Sequence, residues 1–261
     1  MSNLKKSVKS RGILAFASNT ATTDYISIAE QTLAVAKKQL GLPCTLITNT
    51  EEISVNRRYD IDTQQFVQWN NFNRYQAYAL SPYDETLVVD VDYLILDNKL
   101  LDIFKCPWDY LLQRSSHALT AEWNTTMGPQ SLPYVWATVF AFRKTLRSEQ
   151  FFKLVERVQK NYGYYYALFN VRERNYRNDY AFAIADIILN GYTIPTVSIP
   201  GSMLTVDQPI TSITQTDNQL IVRDIEHAYV VPKTNLHIMS KTYLQSENFT
   251  ALIKELLDEP A

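Results

Sequence analysis

The chain is poor in several things at once, and each shortage excludes something. It has 2 cysteines in 261 residues, Cys44 and Cys106, far apart and each in an apolar context. Neither a disulfide framework nor a zinc spacing can be built from them, so both read as packed free thiols of a reducing compartment. Charge of one sign is also lacking. Lys and Arg total 25 against 27 Asp and Glu, a net charge of −2, which leaves no overall basic field. Contact with nucleic acid or a membrane surface would therefore need local patches. The basic start MSNLKKSVKSRGILAFAS is followed by an apolar run far too short for a signal peptide or a span, and no other segment comes near that length. A soluble, cytoplasmic protein with no membrane contact is expected. Repeats, low-complexity segments and Pro/Gly/Ser linkers are absent, so residues 1–261 read as one domain, with residues 1–10 a flexible basic N-terminus.

Tyrosine, in contrast, is abundant: 17 residues against 6 glycines. Such side chains pack at core edges or line pockets that stack rings. Apolar periodicity places a strand at Arg11–Ser18, a helix over Tyr25–Leu40 closed by Gly41 and Pro43, and a strand at CTLITN. That order argues for a parallel crossover unit. A helix is expected over Asn71–Leu80, a strand at YVWATVFAFR, and one helix through RSEQFFKLVERVQKNYGYYY. NDYAFAIADIILNG reads as a further helix, YTIPTVSIP, QLIVRDI and AYVVP as short strands, and NFTALIKELLDE as a terminal helix. The fold class expected is α/β, a mixed, mainly parallel sheet flanked by helices.

DETLVVDVDYLILDN, Asp84 to Asn98, interrupts an apolar strand with Asp90 and Asp92. Two apart on a strand, they share a face, and carboxylates are almost never buried without a partner. In open α/β sheets ligands sit beyond the carboxyl ends of the strands. Two hard oxygen donors there suit Mn²⁺ or Mg²⁺, ions that share their ligands with substrate phosphates.

With that motif the chain resembles the glycosyltransferases of the GT-A fold, a Rossmann-like α/β fold whose signature is Asp-x-Asp, and most of all the retaining glycogenin and galactosyltransferase-like family. The resemblance spans about Ile13 to Leu244. It implies a nucleoside-diphosphate sugar as donor, a UDP-sugar for preference, with Asp90, Val91 and Asp92 at the metal and nucleotide. It implies His237 of NLHIMSK as third metal ligand beside Asp90 and Asp92, and Lys241 on the diphosphate. Arg74 in NRYQAY would reach the nucleotide sugar. Ala17, Ser18, Asn19 and Tyr25 would cup the nucleobase, WATVFAF (Trp136–Phe142) would line the sugar pocket, and Asp179 would hold the sugar or stabilise the cationic transition state. Two departures stand out: Ala137 and Thr138 replace the family's usual Asn-x-Gly, and Asn178-Asp179 its Asp-Gln pair. An inverting reaction would need a base, for which Asp179 and Glu122 are the candidates. In a retaining one, which the resemblance implies, the leaving phosphate oxygen would itself take the proton.

For the acceptor, basic residues cluster at Lys5–Arg11, Arg143–Arg147 and Val171–Arg177, the last flanked by aromatics and directly before Asp179. Such a lip could hold a phosphate backbone. A compact transferase of this kind also resembles phage enzymes that glycosylate hydroxymethylated bases in double-stranded DNA, which implies a hexosyl- or pentosyltransferase of the host cytoplasm. The alternatives are a glycan, protein or small-molecule acceptor, a nucleotidyltransferase, or a non-catalytic sugar-nucleotide-binding protein. Against the nucleotidyltransferase, SNTATTD after the first strand carries neither glycine nor lysine.

Overall fold

The computed structural model describes residues 10–49, 59–66, 68–119, 132–133, 135–171, 174–193, 197–216 and 218–258. Glu122 and most of the Lys5–Arg11 cluster lie outside the described residues. Strand β1 (Arg11–Ala17) shows the period of two that a sheet imposes. Ile13, Ala15 and Ala17 enter one core and Leu14 the other. Helix α1 (Tyr25–Leu40) starts where Asp24 accepts the Ser27 N–H at 3.1 Å. It ends at Gly41, whose φ of 62° is the left-handed cap conformation that glycine adopts without strain.

Strands β2 (Cys44–Thr48) and β3 (Asp62–Gln65) follow. A 3-10 turn over Asn71–Gln76, kinked at Asn73, leads into α2 (Ala77–Leu80). Next come β4 (Glu85–Val89), β5 (Tyr93–Leu94), a 3-10 segment over Lys99–Lys105, β6 (Tyr110–Gln113), β7 (Ser116–Ala118) and β8 (Trp136–Arg143). The second half holds α3 (Leu146–Lys160), α4 (Tyr162–Leu168), α5 (Asn178–Leu189), β9 (Met203–Val206), β10 (Ser212–Gln215), β11 (Gln219–Arg223), β12 (Ala228–Pro232), β13 (Leu236–Ile238), α6 (Lys241–Leu244) and α7 (Glu247–Asp258).

The main sheet has the order β3-β2-β1-β4-β8-β6, parallel from β3 to β4, with β8 antiparallel to both of its neighbours. A second sheet, β5-β13-β9-β7, and an antiparallel meander, β10-β11-β12, complete the β-structure. The main sheet carries apolar side chains on both faces. Residues of α1, α7 and the second sheet bury one face, and those of α3 and α5 bury the other. This is the α/β class expected, a mixed and mainly parallel sheet flanked by helices. Among the described residues no helix is long and apolar enough to cross a membrane.

Four expectations need correction. The run from Asp84 to Asn98 is not one strand: β4 stops at Val89, and a turn closed by the Tyr93 N–H on the Asp90 carbonyl (3.1 Å) takes the chain to β5. The charged residues leave the apolar layer by that turn, since the sheet interior offers them no solvation. The helix expected through Tyr166 breaks at Asn161, a residue whose side chain competes for backbone groups. YTIPTVSIP holds no strand among its described residues; its Pro195 and Pro200 cannot donate to a ladder, and the strand forms at Met203–Val206 instead. Cys44 is buried, but Cys106 is exposed, at the end of the 3-10 segment where the chain turns outward.

Candidate functional site

The antiparallel placement of β8 builds the site. Because β8 runs against β4, its first residues, Trp136 to Thr138, stand where β4 ends. The Asp90 N–H donates to the Thr138 carbonyl at 2.8 Å, which pins the acidic turn to the start of β8. Ala137 is the hub between them. Its carbonyl accepts from Arg74 Nη1 at 2.5 Å, and its N–H donates to Asp179 Oδ1 at 2.8 Å. A backbone hub explains how an alanine can stand there: the strand's peptide groups, which every residue has, do the holding.

The two aspartates face different cations. Asp90 Oδ1 lies 2.5 Å from Arg74 Nη2, and Arg74 is braced by Asn71 Oδ1 at 3.1 and 3.2 Å. Asp92 Oδ2 is ion-paired with Lys241 Nζ, while Asp92 Oδ1 lies 3.6 Å from His237 Nε2. The Ile238 N–H donates to the Asp92 carbonyl at 2.9 Å, so β13 is fixed against the acidic turn and brings His237 with it. Burial raises the Asp92 carboxyl, but His237 and Lys241 outweigh it and hold Asp92 well below the usual carboxylate range. Burial pushes Asp90 up, with Arg74 acting against it and the Asp92 charge adding to it. For Arg74 burial works to lower the value, but the charge and hydrogen bond of Asp90 together with the charges of Asp179 and Asp92 outweigh it and raise it.

Two cavities meet at this charge cluster, sharing Asn71, Arg74 and Asp90. The first, about 390 Å³, is lined by Ala17, Ser18, Tyr25, Val91, Asp92 and Lys241 among others. The second, about 280 Å³, opens between Trp136, Thr138, Tyr176, Asp179 and His237. Residues proposed from sequence alone therefore converge from six separate stretches. Asn19 stays outside both cavities, its Oδ1 accepting the Ile26 N–H at 3.0 Å at the start of α1. Of the stretch Trp136–Phe142 only Trp136 and Thr138 reach the second cavity, the side chains beyond them packing in the cores. Glu122 lies outside the described residues.

Sequence reasoning missed the aromatic side of the first cavity. Phe16 and Trp69 stack at 5.0 Å with 15° between their planes, and both line it. It missed Phe72, Tyr176 and Met239 around the second. The signal was the run QWNNFNRY, in which aromatics and asparagines alternate just before Arg74.

A divalent ion can be tested against these side chains. Asp92 Oδ1 is a buried carboxylate oxygen with no hydrogen-bond partner, and an imidazole nitrogen stands 3.6 Å from it. Among the described residues no three His, Cys, Asp or Glu side chains form a preformed cage, since Asp90 faces Arg74. The pair suits an ion of the Mg²⁺ or Mn²⁺ kind, which takes one or two protein carboxylates and completes its shell with waters and phosphates.

No protein-family model matches the chain, and neither does any curated protein. Similar solved structures include the apo form of the glycosyltransferase GlyE of Streptococcus pneumoniae TIGR4, at 14% identity and a TM-score of 0.44, over 74% of this chain and 44% of that one. A second structure of GlyE aligns at 13% identity and a TM-score of 0.41, over 70% and 44%. The apo bifunctional glycosyltransferase WbbM aligns at 10% identity and 0.39, over 57% and 34%. The chain thus spans less than half the length of each of these proteins.

Proposed function

We propose that the protein is a glycosyltransferase of the GT-A kind that moves a sugar from a nucleoside-diphosphate sugar, a UDP-sugar for preference, to an acceptor hydroxyl. The observation that carries this reading is the meeting of the two cavities at one cluster of alternating charges, with an orphaned Asp92 oxygen at its centre.

On this reading the first cavity takes the nucleotide. Tyr25 and the Phe16–Trp69 pair offer ring faces to the base. Lys241 lies between that cavity and Asp92, placed to accompany the diphosphate as a point charge. Arg74 stands on the border and can follow the same phosphates into the second cavity, where the sugar would lie. Asp92 and His237 would hold a Mn²⁺ or Mg²⁺ ion, with Asp90 at its edge. When bound, that ion supplies Lewis-acid neutralisation of charge on the leaving diphosphate.

Asp179 carries the remaining role. Its Oδ1 is held by the Ala137 N–H and its Oδ2 by Arg177 at 3.0 Å, so the carboxylate stays fixed in the second cavity. A fixed negative charge there binds sugar hydroxyls and favours an oxocarbenium-like transition state. Both of its oxygens are already engaged by N–H donors, an arrangement that favours stabilisation over base catalysis.

Calorimetric titration with UDP, GDP, ADP and CDP tests the donor half of this reading. UDP is expected to bind at least tenfold more tightly with MnCl₂ than with chelator, and Asp92→Ala is expected to abolish the difference. Binding of no nucleoside diphosphate, or equal binding by parent and variant with and without metal, would overturn it.

A further inference from the structure

Each carboxylate of the acidic turn has one cation against it, and the two cations are held very differently. Arg74 gives Nη2 to Asp90, Nη1 to the Ala137 carbonyl, and Nε and Nη2 to Asn71 Oδ1. Every nitrogen of its guanidinium is tied, and its side chain is 12% exposed. Lys241 is 30% exposed, and among the described residues its ammonium meets Asp92 alone. It opens the short helix α6 at the wall of the first cavity. A lysine is a point charge on a flexible stem, free to turn its donors elsewhere. Asp90 therefore carries a fixed counter-charge and Asp92 an exchangeable one.

Charge decides what that difference does. Among the described residues lining the two cavities, Asp90, Asp92 and Asp179 face Arg74, Lys241 and Arg177, acid for base. A neutral imidazole at His237, the form that ligates metal, leaves the balance unchanged. A divalent ion arriving alone would add uncompensated charge beside carboxylates that are largely buried. On Asp92 it would also share one negative charge with the Lys241 ammonium, like charges at close range. A diphosphate arriving alone meets the mirror-image difficulty. The two together are close to neutral, and the diphosphate offers Lys241 a new partner.

We propose that Lys241 is the exchangeable counter-ion of Asp92, holding that carboxylate until a diphosphate draws it into the first cavity. Asp92 is open to the ion only then. Metal and nucleotide are thereby admitted as a pair, and Lys241 keeps the bare metal out. The two aspartates play unequal parts, since Asp90 keeps Arg74 throughout while Asp92 changes partner. The inference rests on reading the first cavity as the nucleotide site.

Two measurements on the full chain test it. Electron paramagnetic resonance of free Mn²⁺ gives the metal affinity without nucleotide, and calorimetry gives the UDP affinity with MnCl₂ and with chelator. Lys241→Met keeps the stem of the side chain and removes its charge. The variant is expected to bind Mn²⁺ alone roughly tenfold or more tightly than the parent, a gain that neither misfolding nor a purely structural lysine produces. Adding Asp92→Asn to it should abolish the gain. Coupling between two ligands is reciprocal, so the factor by which Mn²⁺ tightens UDP binding should shrink several-fold in Lys241→Met. The inference is overturned if Lys241→Met takes up Mn²⁺ alone no better than the parent, if Asp92→Asn leaves the gain in place, or if the Mn²⁺ effect on UDP is undiminished. A parent that binds no UDP, beside a Lys241→Met variant that still gains Mn²⁺, would contradict the nucleotide reading and leave Lys241 as the guard of Asp92.

Discussion

Single residues decide what the charge cluster can do, and Asp179 is the most informative of them. Asp179→Asn keeps an oxygen that can accept the Ala137 N–H, so the start of β8 should hold. It removes the negative charge from the second cavity. Turnover is expected to fall roughly 10²- to 10³-fold with little change in the KM for the donor; steady-state kinetics checks this, and an unchanged kcat would remove Asp179 from the reaction. The cysteines allow a second prediction. Burial pushes the Cys44 thiol up from 9.0 to about 12, with Lys37 only partly opposing it. The neutral thiol is the folded form, so this contribution to stability is fully present below pH 9 and is lost as pH rises towards 12. A thiol reagent at mild pH should therefore modify exposed Cys106 quickly and reach Cys44 only after unfolding. Two equally fast thiols would contradict the burial of Cys44.

Among elements, the junction of β1, β4 and β8 rests on a triad that no sequence pattern disclosed. Arg11, Glu85 and Arg143 face one another across the three strands in register. Glu85 is buried, with Arg11 Nε at 2.7 Å and Arg143 Nε at 2.9 Å, and the guanidinium groups lie over the rings of Phe104 and Trp108 at 4.9 and 4.2 Å. Glu85→Ala would leave the largely buried Arg143 side chain (12% exposed) without its counter-charge, a cost of about 3 kcal/mol. Calorimetry should show Tm falling on the order of 10 °C, and a shift of only about 1 °C would show the triad to be dispensable. The elements that were legible in advance share a cause. β1, α1, β2, β8 and α5 each carry an apolar period long enough to be read, and Asp24 and Gly41 mark the limits of α1. β5, β7, β9 and β13 are only two to four residues long and exist because they pair with one another. Their partners are far away in sequence, so no local window contains the reason for them. The site follows the same division. Asp90 and Asp92 were visible as a carboxylate pair on an apolar strand, and His237 and Lys241 only through the family resemblance, whereas Phe16, Trp69 and Tyr176 become lining residues only when the sheet and α5 bring them to the cavities.

At the scale of the whole molecule, two apolar cores cover opposite faces of one sheet and leave its ends open, and one of those ends holds the candidate site. β1 and β4 finish there, β8 starts there, and β13 from the second sheet supplies His237. Both cavities open at that place, so the proposed donor and acceptor halves would both come from one topological fact. The measurement that tests this most directly is release of nucleoside diphosphate from a panel of nucleotide sugars, UDP-sugars included, with Mn²⁺ or with chelator, in the parent and in Asp92→Ala. The account predicts release from at least one donor that depends on the metal and falls at least a hundredfold in the variant, roughly the loss of one transition-state charge partner. Release that the variant and the chelator leave untouched, or no release from any donor with or without acceptor, would contradict it.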